Sequence, residues 1–124
     1  MVLVRKIRIY EYKNCGTCKK ALRFLDTNQI SYEKISILDK PPTKTELRRM
    51  LSFVDGNMKK LFNTSGTVYR DLHLSDKIKE MSETDLVNLL AGNSKLIKRP
   101  FVLLGKTGLV GFNEDEWRDM FNAH

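Results

Sequence analysis

The sequence predicts a single α/β domain in which a mixed sheet is assembled as β-α-β, then a run of helices, then β-β-α. Three observations carry that prediction. KIRIYEY and SYEKISI alternate apolar and polar residues with the two-residue period of strands, and a helical pattern lies between them. Two further apolar runs, RPFVLLG and GLVGF, stand close enough to form a hairpin, with a helical segment behind them. Between these halves, every periodic segment is helical.

Taken in order, KIRIYEY combines β-branched and aromatic residues as a strand requires. The following helix repeats Cys18, Ala21, Leu22 and Leu25 on one stripe and turns Lys19, Lys20 and Arg23 elsewhere. SYEKISI is the second strand. In KPPTKTELRRMLSFV the prolines break the chain, Thr43 and Glu46 form a capping box, and Leu47, Met50 and Leu51 make an apolar stripe. Short helical pieces are expected around MKKLF and TVYRDL, with Gly66 between them. SETDLVNLLAG is a helix capped by Ser82, with Asp85 three residues on and Gly92 as its terminator. RPFVLLG is a buried strand, GLVGF its partner across Lys106-Thr107, and NEDEWRDMF a closing helix capped by Asn113. This order is the thioredoxin plan, with a core of about 1–42 and 94–124 and a helical insertion of about 43–93.

Bulk properties narrow the function. A chain of 124 residues is one domain, large enough to bury a core unaided. With 41% hydrophobic and 30% charged residues it is neither disordered nor of low complexity. MVLVRKIRIY has too short an apolar stretch for a signal peptide, and no run reaches the roughly 18 residues of a membrane span. A cytoplasmic location away from the membrane is the expectation, and there the Asn63-Thr64-Ser65 glycosylation triplet carries no weight. The charge of +7 favours acidic partners or nucleic acid. The basic residues are scattered, however, from Arg5 and Lys6 to Lys98 and Arg99, and no nucleic-acid motif accompanies them, so direct binding to nucleic acid is not expected.

The chemistry centres on YKNCGTCKKALRFL, which holds both cysteines of the chain. A cytosolic bridge closing so short a loop restrains little chain entropy, which argues against a structural staple. A zinc site usually needs four ligands, and His73 and His124 are the only histidines available, so no metal is expected. The remaining reading is a reactive pair. At a helix N-terminus free N–H groups and the macrodipole stabilise a thiolate, and Cys15 stands there with Lys13 and Lys19 near in sequence. Cys18, one turn later, falls on the core stripe and is placed to resolve a mixed disulfide. Cys18 as an inert core residue with Cys15 acting alone stays open. Arg99 before Pro100, at the start of a strand, is the second site element, because a proline there constrains the residue before it.

YKNCGTCKKALRFL, LFNTSGTVYRDL, LIKRPFVLLG and VGFNEDEWR together resemble the ArsC/Spx/YffB family over essentially the whole chain. The resemblance implies the inserted thioredoxin-like fold, with a cis-proline at Pro100 facing the cysteine loop. Its arsenate reductases use a cysteine matching Cys15 and hold the oxyanion with three arginines. Of those only Arg99 has a counterpart; Asn63 occupies the second position, the third falls near Gly111, and a histidine ahead of the cysteine is replaced by Glu11. Little activity toward arsenate is therefore expected. The resemblance implies a thiol-disulfide oxidoreductase with Cys15 attacking and Cys18 resolving. Asn14, Gly16, Thr17, Arg99 and Pro100 would surround the incoming thiol. No tightly bound cofactor is expected, electrons would come from glutathione or thioredoxin, and the protein would act as a monomer. The Spx branch implies an alternative: a redox-sensing regulator that binds the C-terminal domain of the RNA polymerase α subunit, with Gly56 at the contact.

Overall fold

A computed structural model describes residues 7–122. The sheet has four strands in the order β2-β1-β3-β4: β1 (Ile7–Glu11), β2 (Glu33–Ser36), β3 (Phe101–Leu104) and β4 (Thr107–Val110). β1 pairs parallel with β2 and antiparallel with β3, and β4 continues antiparallel from β3. Lys6, which opens the first expected strand, lies outside the described residues. The second strand is shorter than its alternation implied. Ser31 and Tyr32 precede it, and Ile37 follows it, buried, with its N–H on the Glu11 carbonyl at 2.9 Å.

Alternation on β1 divides the core between the two faces. Ile7 and Ile9, with Val102, Leu104 and Leu109, face α1 (Gly16–Thr27) and α6 (Glu114–Phe121), where Phe24 and Trp117 meet edge to face. Tyr10, Phe101 and Leu103 face α2 (Lys44–Phe53) and α5 (Glu83–Gly92). On α1 the buried stripe is Cys18, Ala21, Phe24 and Leu25. Leu22 is only partly buried, since Phe24 supplies the aromatic surface that packs on Trp117.

The capping box forms on both sides. Thr43 Oγ1 accepts from the Glu46 N–H at 3.1 Å, and Glu46 Oε1 accepts from the Thr43 N–H at 2.9 Å. Glu46 is itself buried, accepts the Tyr10 hydroxyl at 3.0 Å and pairs with Arg8 at 2.7 Å. Burial alone would raise its pKa, but the Thr43 N–H, the Tyr10 hydroxyl and Arg8 outweigh that and hold it below the usual 4.5. The Tyr10 hydroxyl is pushed up to about 12, first by burial and then by Glu46.

Between α2 and α5 the chain makes a 3-10 turn (Met58–Leu61), α3 (Thr67–Asp71), α4 (Leu74–Lys77) and a second 3-10 turn (Ile78–Glu80). Gly92 is the last residue of α5 and takes no left-handed conformation; the extended backbone of Asn93 ends the helix instead. The hairpin turn also differs from expectation by one residue. Leu104 pairs with Thr107, so Gly105 and Lys106 form the turn, with Gly105 at φ +58 as a two-residue turn requires at its first central position. Gly108 lies under α2, and a Cβ there would meet Val102 O at 2.7 Å and Met50 Cε at 2.9 Å. Among the described residues no helix is long and apolar enough to cross a membrane.

Candidate functional site

Cys15 is the N-cap of α1. Its extended backbone, φ −94 and ψ 114, turns the chain from the β1 side into the helix. The Cys15 N–H bonds Tyr12 O at 3.0 Å, and its carbonyl accepts the Lys19 N–H at 3.1 Å. Its Sγ accepts the Cys18 backbone N–H at 3.3 Å, so the sulfur stands where a serine or aspartate oxygen caps other helices. Cys15 is partly exposed, whereas Cys18 has no exposed surface, and both are free thiols. Burial pushes the Cys18 thiol up to about 12. The Tyr12 backbone opposes that rise, the Cys15 sulfur adds to it, and Arg99 opposes it in turn.

Register explains how Arg99 reaches this loop. Tyr10 pairs with Phe101, so the antiparallel register, continued two steps past the end of the ladder, brings Pro100 and Arg99 beside Glu11 and Tyr12. The Arg99-Pro100 bond is cis and Pro100 is buried. The Arg99 guanidinium lies 4.9 Å from the centroid of the Tyr12 ring, a cation–π contact that fixes its direction. Asn14 Nδ2 donates to the Tyr12 hydroxyl at 3.3 Å, while Gly16 and Thr17 are exposed at the start of α1.

A cleft of about 450 Å³ opens beside Arg99 and Tyr12. Asn63, Ser65, Gly66, Thr67, Val68 and Lys95 complete its lining. A short irregular ladder builds it: Phe62 bridges Ile97, the Lys98 N–H bonds Leu61 O at 2.8 Å, and the Asn63 N–H bonds Leu96 O at 2.7 Å. Gly66 packs against Asn63, and a Cβ there would stand 2.7 Å from Asn63 Nδ2 and displace that amide. The lining carries two cations, Lys95 and Arg99, and no carboxylate, which suits an anionic group. Neither cysteine is part of it; Tyr12 and Arg99 link the cleft to the cysteine loop.

The structure thus brings Asn14, Cys15, Gly16, Thr17, Cys18, Arg99 and Pro100 to one end of the sheet. Gly56 is not with them. It sits beyond the C-terminus of α2 at φ +77, next to Asp55 at φ +58, and its N–H bonds Leu51 O at 2.9 Å. That left-handed turn suits glycine by itself. Tyr12 and Lys95 escaped sequence reasoning. Tyr12 looks like the end of a strand, and only the fold shows it as the stacking platform for Arg99. Lys95 is one lysine among many, and its value comes from the bridge that faces it toward Asn63.

The sequence profile described as ArsC family matches residues 10–120, taking in the cysteine loop, the cleft and the strand after Pro100. The chain belongs to the ArsC family. Among similar proteins, YusI of Bacillus subtilis, an uncharacterized protein, is 40% identical over 113 residues, covering 91% of this chain and 96% of its own. The global transcriptional regulator Spx of Streptococcus pyogenes is 30% identical over 112 residues, covering 90% of this chain and 82% of its own. A crystal structure of an ArsC family related protein from Bacteroides fragilis superposes with a TM-score of 0.87 at 42% identity, covering 93% of this chain and 98% of the other. The thioredoxin-like α/β fold expected from the sequence is thus the fold of this ArsC family protein and of its solved relatives.

Proposed function

We propose that this ArsC family protein is a cytoplasmic thiol-disulfide oxidoreductase in which Cys15 attacks and Cys18 resolves. The observation that carries the reading is the Cys15 sulfur at the N-cap of α1, accepting the Cys18 N–H, with the Cys18 thiol one turn below. The Cys18 N–H fixes the direction of that sulfur, and Cys15 is partly exposed, so an incoming disulfide can reach it.

In the first step the Cys15 thiolate attacks one sulfur of a glutathione mixed disulfide. The substrate S–S bond breaks, the departing thiolate takes up a proton, and Cys15 carries the adduct. Cys18 then loses its proton and attacks Cys15 Sγ, releasing glutathione and leaving a Cys15–Cys18 disulfide. Two electrons from glutathione or a thioredoxin-type dithiol restore both thiols. Asn14, Gly16 and Thr17 border the incoming group, Pro100 supplies backbone beside it, and Arg99 with Lys95 holds its carboxylates. No resident cofactor enters the scheme.

Mass spectrometry after exposure to glutathione disulfide tests it. The wild type should gain and then lose a glutathione adduct as the internal bridge closes, Cys18→Ser should retain the adduct, and Cys15→Ser should form none. An adduct on Cys18 in the wild type would sink the mechanism.

Similarity to the regulator Spx supports a second reading, in which the same pair switches binding to the RNA polymerase α subunit, with Gly56 at the contact. It requires pull-down of the α C-terminal domain that changes when the pair is oxidised and weakens in Gly56→Arg. Binding that ignores both changes would eliminate it.

A further inference from the structure

β4 is one of the two edge strands of the sheet, and among the described residues no backbone group pairs with its outer edge. The register fixes which peptide groups face outward. Leu104 and Thr107 close the two-residue hairpin, and bonded and non-bonded pairs alternate from there. The Gly111 N–H on Pro100 O, at 2.8 Å, confirms the phase. Thr107, Leu109 and Gly111 therefore bond to β3, whereas Gly108 and Val110 direct their N–H and C=O groups away from it.

Both residues also line a groove of about 450 Å³ that runs from β4 to the end of α2, Val110 at its partly exposed rim and Gly108 buried at its floor. Phe53, Val54 and Phe62 give it an apolar wall, and Lys59, Lys60 and Lys98 stand along it. Two carboxylates, Asp55 and Glu116, also border it, leaving the lining net positive on a chain of charge +7. An unpaired strand edge is a template for another strand, and pockets beside it select alternate side chains.

We infer that the β4 edge is a docking site for an extended acidic segment of a partner protein, added as a fifth strand through the Gly108 and Val110 peptide groups with its carboxylates on Lys59, Lys60 and Lys98. A second copy of this chain fits less well, because edge-to-edge pairing would bring two sets of these lysines together. With four residues in the strand the contact is small, so docking is weak and reversible. The inference is independent of the thiol chemistry.

The test titrates the isotope-labelled full chain with two capped synthetic pentapeptides, one alternating glutamate and valine, the other lysine and valine. The acidic peptide should shift the Gly108 and Val110 amides most and slow their hydrogen exchange. Lys60→Glu combined with Lys98→Glu should weaken it about tenfold. Val110→Pro removes an outward N–H without touching the bonds to β3, and should abolish the response. The inference is overturned if these amides do not respond, if the basic peptide binds as well, or if the shifts appear on raising protein concentration without peptide, which would mean self-pairing.

Discussion

Cys18 must give up a proton to resolve a mixed disulfide, yet its thiol sits at about 12. Part of that rise comes from the Cys15 sulfur, which the adduct caps, so at pH 7 the thiolate fraction in the mixed disulfide is about 10⁻⁵ at the least. An intermolecular attack at that fraction would be negligible. Effective molarities for well-oriented intramolecular steps reach about 10⁵–10⁸ M, so the product is still on the order of 1 M or more. Resolution is therefore feasible and proportional to hydroxide. Loading Cys15 with glutathione and following adduct loss by acid quench and mass spectrometry from pH 7 to 9 should show the rate rising about tenfold per unit. Arg99→Leu should slow the step at every pH, because Arg99 lowers the Cys18 pKa. A rate that stays flat from pH 7 to 9 would refute the reasoning, since it would require Cys18 to be ionised already or another group to take its proton.

Stability should respond to the same thiol. Below pH 9 Cys18 is protonated in both states; as pH climbs toward 12 the unfolded chain releases a proton that the folded chain keeps, so stability falls. Denaturant titrations should show that loss beginning near pH 9 in the wild type and near pH 10, where Tyr10 takes over, in Cys18→Ala. Glu46→Ala leaves the Tyr10 O–H without its acceptor and the Thr43 N–H without a partner, and should cost about 2–4 kcal/mol in urea unfolding. Because its pKa is lowered when folded, Glu46 contributes above about pH 4.5, and that contribution fades as pH falls through the folded value. Gly108→Val pushes a side chain into Val102 O and Met50, and should lower stability by about 1–3 kcal/mol in the same assay. Lys95→Ala should raise KM for a glutathione mixed disulfide several-fold and leave kcat nearly unchanged, as loss of a binding contact predicts; an unchanged KM would remove Lys95 from the site.

Local physics made much of this protein legible in one dimension. The strand Ile7–Glu11, the capping box from Thr43 to Glu46 and the Asn113 cap each depend on neighbours within a few residues, and each forms where the sequence places it. The same holds for Cys15, because an N-cap is a property of the chain entering its own helix. Where two local signals competed, the boundary moved. Gly105, rather than Thr107, took the turn because the ladder to β3 had to close on Leu104.

What the sequence determined by itself is the four strands, the longer helices and the place of the Cys15 sulfur at a helix start, since these follow from periodicity and helix-end chemistry. Only the tertiary structure decided that Arg99 lies on Tyr12, that Lys95 faces the same cleft as Asn63, and that a capping glutamate is also the buried partner of Tyr10 and Arg8. Those contacts join residues far apart in the chain, and their geometry depends on strand register and on the bridge between Phe62 and Ile97, which no local pattern encodes.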